Sequence, residues 1–321
     1  MTIKKQPFSE IISIAPMLDW TDRHYRYMMR LITRHTTLYT EMIACPALIL
    51  GQNKNVLLDY NPEEHPVILQ VGGCDPKLMA QCAKMAYEWG YDGININAGC
   101  PSPRVQSGKF GAILLKTPQI IADCVTEMTA ATPLPVSVKT RISLADVPGD
   151  GFQELFSLTD SLQKAGCKHL IVHARKAKLN WRPKENRLKL GVNYPLVYEL
   201  KKSFPDLPIS INGNILSLTD IPKHLQHVDG VMIGRWAYGN PYELREIDQL
   251  FYHDHHPIPS RPEVVEEMIR YASAHHRQLN KILSHMIGLY RGQPNASLYK
   301  QALLSRDLDK LKAFLKVQQS P

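Results

Sequence analysis

The 321-residue chain is 44% hydrophobic and 21% charged, a composition that excludes wholesale disorder and supplies a full-sized core. Its formal charge of +8 favours an acidic partner, and residues 261–321, with ten Lys/Arg against five Asp/Glu, carry +5 of it. Six cysteines without a CxxC pair argue against a zinc or disulfide framework, and no run approaches the ~18 apolar residues of a membrane span, so a metal-free protein of the reducing cytoplasm is expected.

Apolar runs of strand length occur at 11–15, 37–41, 66–71, 93–97, 135–139, 169–173, 208–212 and 230–233. Segments 77–89, 119–131, 153–165 and 194–204 carry apolar residues at helical spacing, and Asp75-Pro76 and Thr117-Pro118 each set a capping side chain before a proline. Eight such alternations predict an α/β fold, a parallel TIM (β/α)8 barrel over residues 1–254. The proline-rich stretch from His256 to Pro262 then separates a small helical C-terminal domain, 255–321.

Working residues of such barrels lie at the C-terminal strand ends. Here those ends are Pro16-Met17, Glu41, Gln70, Asn97, Lys139, His173, Asn212-Gly213-Asn214 and Gly234-Arg235. One polar strand end is ordinary, whereas a whole ring of them predicts a polar-lined pocket. The last two ends join glycines to an arginine where barrels often bind phosphate, which would belong to a sugar, a nucleotide or a flavin.

The connection from Asn97 to Thr117 is long and rich in proline and glycine, and it places Cys100 three residues beyond a strand end. Cys45, Cys74, Cys82, Cys124 and Cys167 read as small buried hydrophobes. Cys100 reads as chemistry: an ordinary thiol is mostly protonated at neutral pH and can serve as a general acid.

Five segments carry a resemblance: Ala15-Pro16-Met17-Leu18-Asp19-Trp20-Thr21-Asp22, Asn95-Ile96-Asn97-Ala98-Gly99-Cys100-Pro101, Val138-Lys139-Thr140-Arg141-Ile142, His173-Ala174-Arg175 and Ile211-Asn212-Gly213-Asn214-Ile215. Together they resemble tRNA-dihydrouridine synthases. The first of them, with Lys184-Glu185-Asn186-Arg187, is similar to the bacterial A subfamily acting at D-loop positions 20 and 20a. The resemblance implies FMN in the barrel, NADPH as reductant, hydride delivery to C6 of uracil and protonation of C5 by Cys100. Pro16, Met17 and Leu18 would border the flavin ring, Gln70 its edge and Lys139 its N1/O2 side. His173 would line the same site, and Asn212, Gly213, Asn214, Gly234 and Arg235 would hold the phosphate. Asn97 would sit beside the uracil. Arg141, Lys184 and Arg187 would contact the substrate, as would Ser297 and Lys300, which stand where family members commonly carry two arginines. The partner implied is tRNA, bound by a monomer without membrane or metal; segment 143–151 receives no role.

Two basic stretches would hold the RNA. One is Arg175, Lys176, Lys178, Arg182, Lys184, Arg187 and Lys189, with Trp181 as a stacking surface; the other is Arg270, Arg277, Lys281, Arg291, Lys300 and Arg306. Two other readings stay open: an FMN barrel that reduces a small pyrimidine or enone, and an RNA-binding barrel without catalysis.

Overall fold

The computed structural model describes residues 11–319. One parallel sheet contains β1 (Ile12–Ile14), β2 (Leu38–Tyr39), β3 (Ile43–Ala44), β4 (Val67–Gly72), β5 (Gly93–Ala98), β6 (Val136–Arg141), β7 (His169–His173), β8 (Ile209–Asn212) and β9 (Gly230–Ile233). The strands run in the order β1-β9-β8-β7-β6-β5-β4-β2. A Ser13–Thr37 bridge returns β2 to β1, so the eight expected strands form a TIM barrel. The unexpected β3 is two residues long and pairs with the end of β4 at Val71 and Gly72.

The strands are less uniformly apolar than their sequence suggests. Outward positions such as Ile94, Ile96, Val136, Val138, Leu170 and Val172 join the main core under the helices. Alternate positions face the barrel axis, because successive side chains of a strand point to opposite faces. There a separate cluster of Ala15, Tyr39, Ile68, Ile171 and Met232 fills the interior. Polar residues share this face. His169 Nε2 lies 2.8 Å from Ser210 Oγ, and Asn95 Nδ2 donates to Ser137 Oγ at 2.8 Å.

Helix Pro76–Glu88 starts as expected, with Asp75 accepting from the Leu78 amide at 3.0 Å, and it buries Met79, Cys82, Ala83 and Ala86 along one face. Helix Pro118–Ala131 starts at its proline too, but the Thr117 side chain makes no capping bond; φ −137° and ψ 64° turn that residue away from the usual cap conformation. The fixed φ of Pro118 is enough to set the start.

After the proline-rich stretch come helices Arg261–Ala274, Leu279–Met286, Ala296–Leu304 and Leu308–Gln319. They are welded to the barrel's first helix, Arg23–Ile32: Val264, Val265 and Met268 share one buried cluster with Tyr25, Met28 and Met29. Polar ties cross the same seam. His24 Nδ1 lies 2.8 Å from the Tyr271 hydroxyl, and Tyr27 donates to Glu267 at 3.0 Å.

That seam predicts acid sensitivity. Burial, only partly offset by Asp22, pushes His24 down to about 4. An unfolded histidine takes up its proton near pH 6.5, so between pH 6.5 and 4 the unfolded chain binds a proton that the folded one refuses. Stability is therefore complete above pH 6.5 and falls as pH drops toward 4, by at most about 1.4 kcal/mol per pH unit from this group. Thermal melts at pH 7.5 and 5 should show the loss, and His24→Asn should flatten it. Identical pH slopes in both proteins would contradict this assignment.

Candidate active site at the C-terminal mouth of the barrel

A cavity of about 450 Å³ opens at the C-terminal strand ends, within the range of roughly 300–1,000 Å³ typical of small-molecule sites. Pro16, Met17, Leu18, Gln70, Asn97, Cys100, Lys139, Arg141, His173, Arg187, Asn212, Gly213, Asn214, Gly234 and Arg235 all line it. Three expected site residues do not. Lys184 is exposed on helix Pro183–Lys189, and Ser297 and Lys300 are exposed on helix Ala296–Leu304.

One wall is a relay of side-chain amides. Asn97 Nδ2 donates to Gln70 Oε1 at 2.9 Å, and Gln70 Nε2 donates to Asn95 Oδ1 at 2.7 Å. This chain fixes which way the Asn97 amide faces. Its Oδ1 then accepts from the backbone of Gly99 at 3.2 Å and of Cys100 at 3.0 Å, an Asx turn that launches the cysteine loop. Arg141 holds the same loop from the other side, donating from Nε to Gly99 O at 3.1 Å and from Nη1 to Lys176 O at 3.1 Å. The Cys100 carbonyl accepts from the Ala112 amide at 2.9 Å. Gly111 makes this closure possible: at φ +77°, a Cβ there would come within 2.6 Å of Cys100 O. Cys100 is thus held at both its N–H and C=O beside the cavity.

The lining is also cationic. Arg104, Lys139, Arg141, Arg175, Arg187 and Arg235 line the cavity, and among the described residues no carboxylate does, so the fitting ligand is an anion. Burial, reinforced by Arg141, pushes Lys139 down to about 7, and its Nζ donates to Asn212 Oδ1 at 3.1 Å. Burial, together with Arg141 and Lys139, keeps His173 well below the usual imidazole range, so the ring is neutral. Gly213, at φ +120°, packs its backbone against that ring; a Cβ would stand 2.7 Å from His173 Cδ2.

The basic loop after β7 is largely occupied with its own structure. Arg175 Nη1 donates to Arg187 O at 2.9 Å and also to Leu190 O. Lys176 Nζ donates to Val147 O at 2.9 Å and Gly149 O at 2.6 Å, and Lys178 pairs with Asp146. Segment 143–151, which had no role in the sequence reading, is therefore the strut of this loop. Trp181, expected as a stacking surface, carries Lys189 over its ring at 4.9 Å.

Sequence reasoning gave no role to several lining residues, among them Trp20, Met42, Arg104, Leu216 and Trp236. It also missed the tie between rim and tail. The buried Asp22 carboxylate caps helix Arg23–Ile32 through the amides of His24 and Tyr25. It also meets His285 Nε2 at 2.9 Å and Lys281 Nζ at 2.9 Å. Burial alone would raise this carboxyl, but His285, the helix amide and Lys281 outweigh it and hold the group far below the usual carboxylate range. A helix-start signal at Thr21-Asp22 was readable; its partners more than 250 residues away were not.

The family model for dihydrouridine synthases (Dus) matches residues 13–319. A tRNA-dihydrouridine(20/20a) synthase of Synechocystis is 47% identical over 296 residues, 91% of this chain and 88% of the relative. Enzymes of the same name from Shewanella oneidensis and Escherichia coli K12 are 48% and 47% identical, over 91% of this chain and 87% and 85% of their own lengths. Among solved structures, a 2-naphthoyl-CoA reductase complex with 2-naphthoyl-CoA aligns with a TM-score of 0.57 at 10% identity. That alignment covers 74% of this chain and 50% of the other, and it bears on the fold alone. Among the described residues no helix is long and apolar enough to cross a membrane, and no group of three His, Cys, Asp or Glu is placed to hold a metal.

Proposed function

Because the chain belongs to the dihydrouridine synthase family, we propose that it reduces uridine to 5,6-dihydrouridine at D-loop positions 20 and 20a of tRNA, with FMN as cofactor and NADPH as reductant. The observation that carries this reading is the placement of a backbone-clamped Cys100 in one cavity with Lys139, His173 and the Asn212–Asn214 turn.

The donor set suits FMN. Six cations and no carboxylate match a phosphate and a ring that becomes anionic on reduction. Buried Nε atoms of Arg175 and Arg187 have no partner among the described residues, and Gly213 leaves room for a backbone approach that a side chain would close. We assign Pro16, Met17, Leu18 and Gln70 to the flavin ring, Lys139 to its N1/O2 side, and His173 to the cavity wall. Asn212, Gly213, Asn214, Gly234 and Arg235 are assigned to the phosphate. FMN, when bound and reduced, would supply the hydride for C6 of uracil.

The protein's own residues do the rest. Cys100 gives its thiol proton to C5, and Arg141, near enough to interact electrostatically with Cys100, stabilises the thiolate that remains. Asn97 orients the cysteine loop and lies beside the uracil. The target base leaves its stack to enter the cavity, and the resulting cost is offset by phosphate contacts outside it. Lys184, Ser297 and Lys300, all exposed, are assigned to those contacts, and residues 255–321 to the RNA-holding role. The protein acts as a monomer in the cytoplasm.

Boiled protein should release FMN. NADPH oxidation under anaerobic conditions should be accelerated by unmodified tRNA and not by free uridine or uracil; acceleration by the free base would favour a small-molecule reductase instead. Binding of tRNA should weaken steeply with salt. Lys184→Ala should lessen the slope of log K against log salt by roughly one. An unchanged slope would remove Lys184 from the RNA surface.

A further inference from the structure

Apolar groups share the mouth of the cavity with the exposed Arg104 and Arg235. Leu18 is 55% exposed, Leu216 53% and Trp20 36%, and all three line the opening. Large apolar groups held in water at a pocket rim mark a contact surface. Trp20 lies parallel to Tyr238, with centroids 4.3 Å apart and planes 12° apart. One broad aromatic face therefore borders a cavity that otherwise selects anions.

This face is rigidly mounted. The Trp20 and Thr21 amides both donate to Met17 O at 3.0 Å, and the Met17 amide donates back to Thr21 Oγ1 at 2.9 Å. Asp19 turns at φ +65° with its amide held by the Glu41 carboxylate. From the far side, the Tyr238 hydroxyl lies 3.1 Å from His285 Nδ1, whose other nitrogen reaches Asp22. The tail helix Leu279–Met286 thus anchors the Tyr238 ring on which Trp20 stacks. A pre-set aromatic plane costs less to bind against than one that must be ordered first.

Flat rings alternating with anions are the signature of a nucleotide chain, and aromatic faces accept bases without regard to sequence. We propose that Trp20, backed by Tyr238, is the platform on which the base next to the reduced uridine stacks, keeping the flipped nucleotide in the cavity. The inference rests on the tRNA reading above and adds a binding site to it. It also explains why the rim is tied to the tail: one clamp sets the RNA path and the stacking plane together.

The test uses the whole protein with unmodified tRNA transcripts carrying 2-aminopurine on either side of the target uridine. In the wild type, binding should quench the probe on one side. Trp20→Ala should abolish that quenching and lower kcat/KM for tRNA by about tenfold or more, while Trp20→Phe should keep the quenching and most of the rate. Flavin content and the rate of flavin reduction by NADPH are read in parallel. Retained quenching in Trp20→Ala, or a loss confined to NADPH reduction or to bound flavin, would overturn the platform and make the ring a cofactor or fold support. A wild type that reduces no uridine in any transcript would sink the underlying reading instead, independently of Trp20.

Discussion

Replacing Cys100 with alanine is expected to leave flavin binding intact and to lower uridine reduction by about 10²- to 10⁴-fold, the usual contribution of a positioned general acid. Flavin should stay because none of the loop's anchors depends on sulfur. Asn97 Oδ1 binds the Cys100 amide, Ala112 binds its carbonyl, and Arg141 binds the carbonyl before it. Alanine keeps all three. Only the proton for C5 is removed, so the half-reaction with NADPH should run at its normal rate while tRNA-dependent turnover collapses. Single-turnover measurements separate the two steps. Full activity in Cys100→Ala would show that another group delivers the proton.

Gly213→Ala is expected to have the opposite signature: cofactor lost first, chemistry lost with it. An alanine at φ +120° carries about 1–3 kcal/mol of backbone strain. Its Cβ would also stand 2.7 Å from His173 Cδ2, so either the ring or the turn must move. The adjoining carbonyl, which accepts from the Tyr194 hydroxyl at 2.7 Å, anchors the turn against shifting away. At 1.4 kcal/mol per factor of ten, flavin affinity should fall by about five- to a hundredfold, read as a lower ratio of absorbance at 450 nm to that at 280 nm in purified protein. Excess FMN should restore part of the activity. Normal flavin content in Gly213→Ala would contradict the assignment of this turn to the phosphate.

Much of this site was legible in the sequence because strand ends are local signals. Each of Gln70, Asn97, Lys139, His173 and Asn212 follows or closes a short apolar run, and barrel topology then brings them together without further information. What stayed hidden is non-local or conformational. The turn of Asn97 Oδ1 onto the cysteine loop depends on Gln70, a residue of the neighbouring strand. Polar inward positions such as Asn95, Ser137, His169 and Ser210 were masked by the apolar neighbours with which they alternate. The charge run after β7 looked like one RNA surface, yet Arg175, Lys176 and Lys178 are engaged by carbonyls and by Asp146. Composition counts charges; it does not say which are already paired.

The tail is the clearest case. A proline-rich break separates it in sequence, which suggests an appendage. In the structure its helices bury the barrel's first helix and reach Asp22 with His285 and Lys281. Point substitutions on its exposed face would therefore test the proposed RNA contacts more cleanly than truncation, which would strip cover from Tyr25, Met28 and Met29 as well.

The most direct measurement is mass-spectrometric mapping of dihydrouridine in unmodified tRNA after incubation with NADPH and either the wild-type protein or Cys100→Ala. Conversion at positions 20 and 20a is expected from the wild type and only traces from the variant in the same time. Conversion at other positions alone, or equal conversion by both proteins, would contradict that expectation.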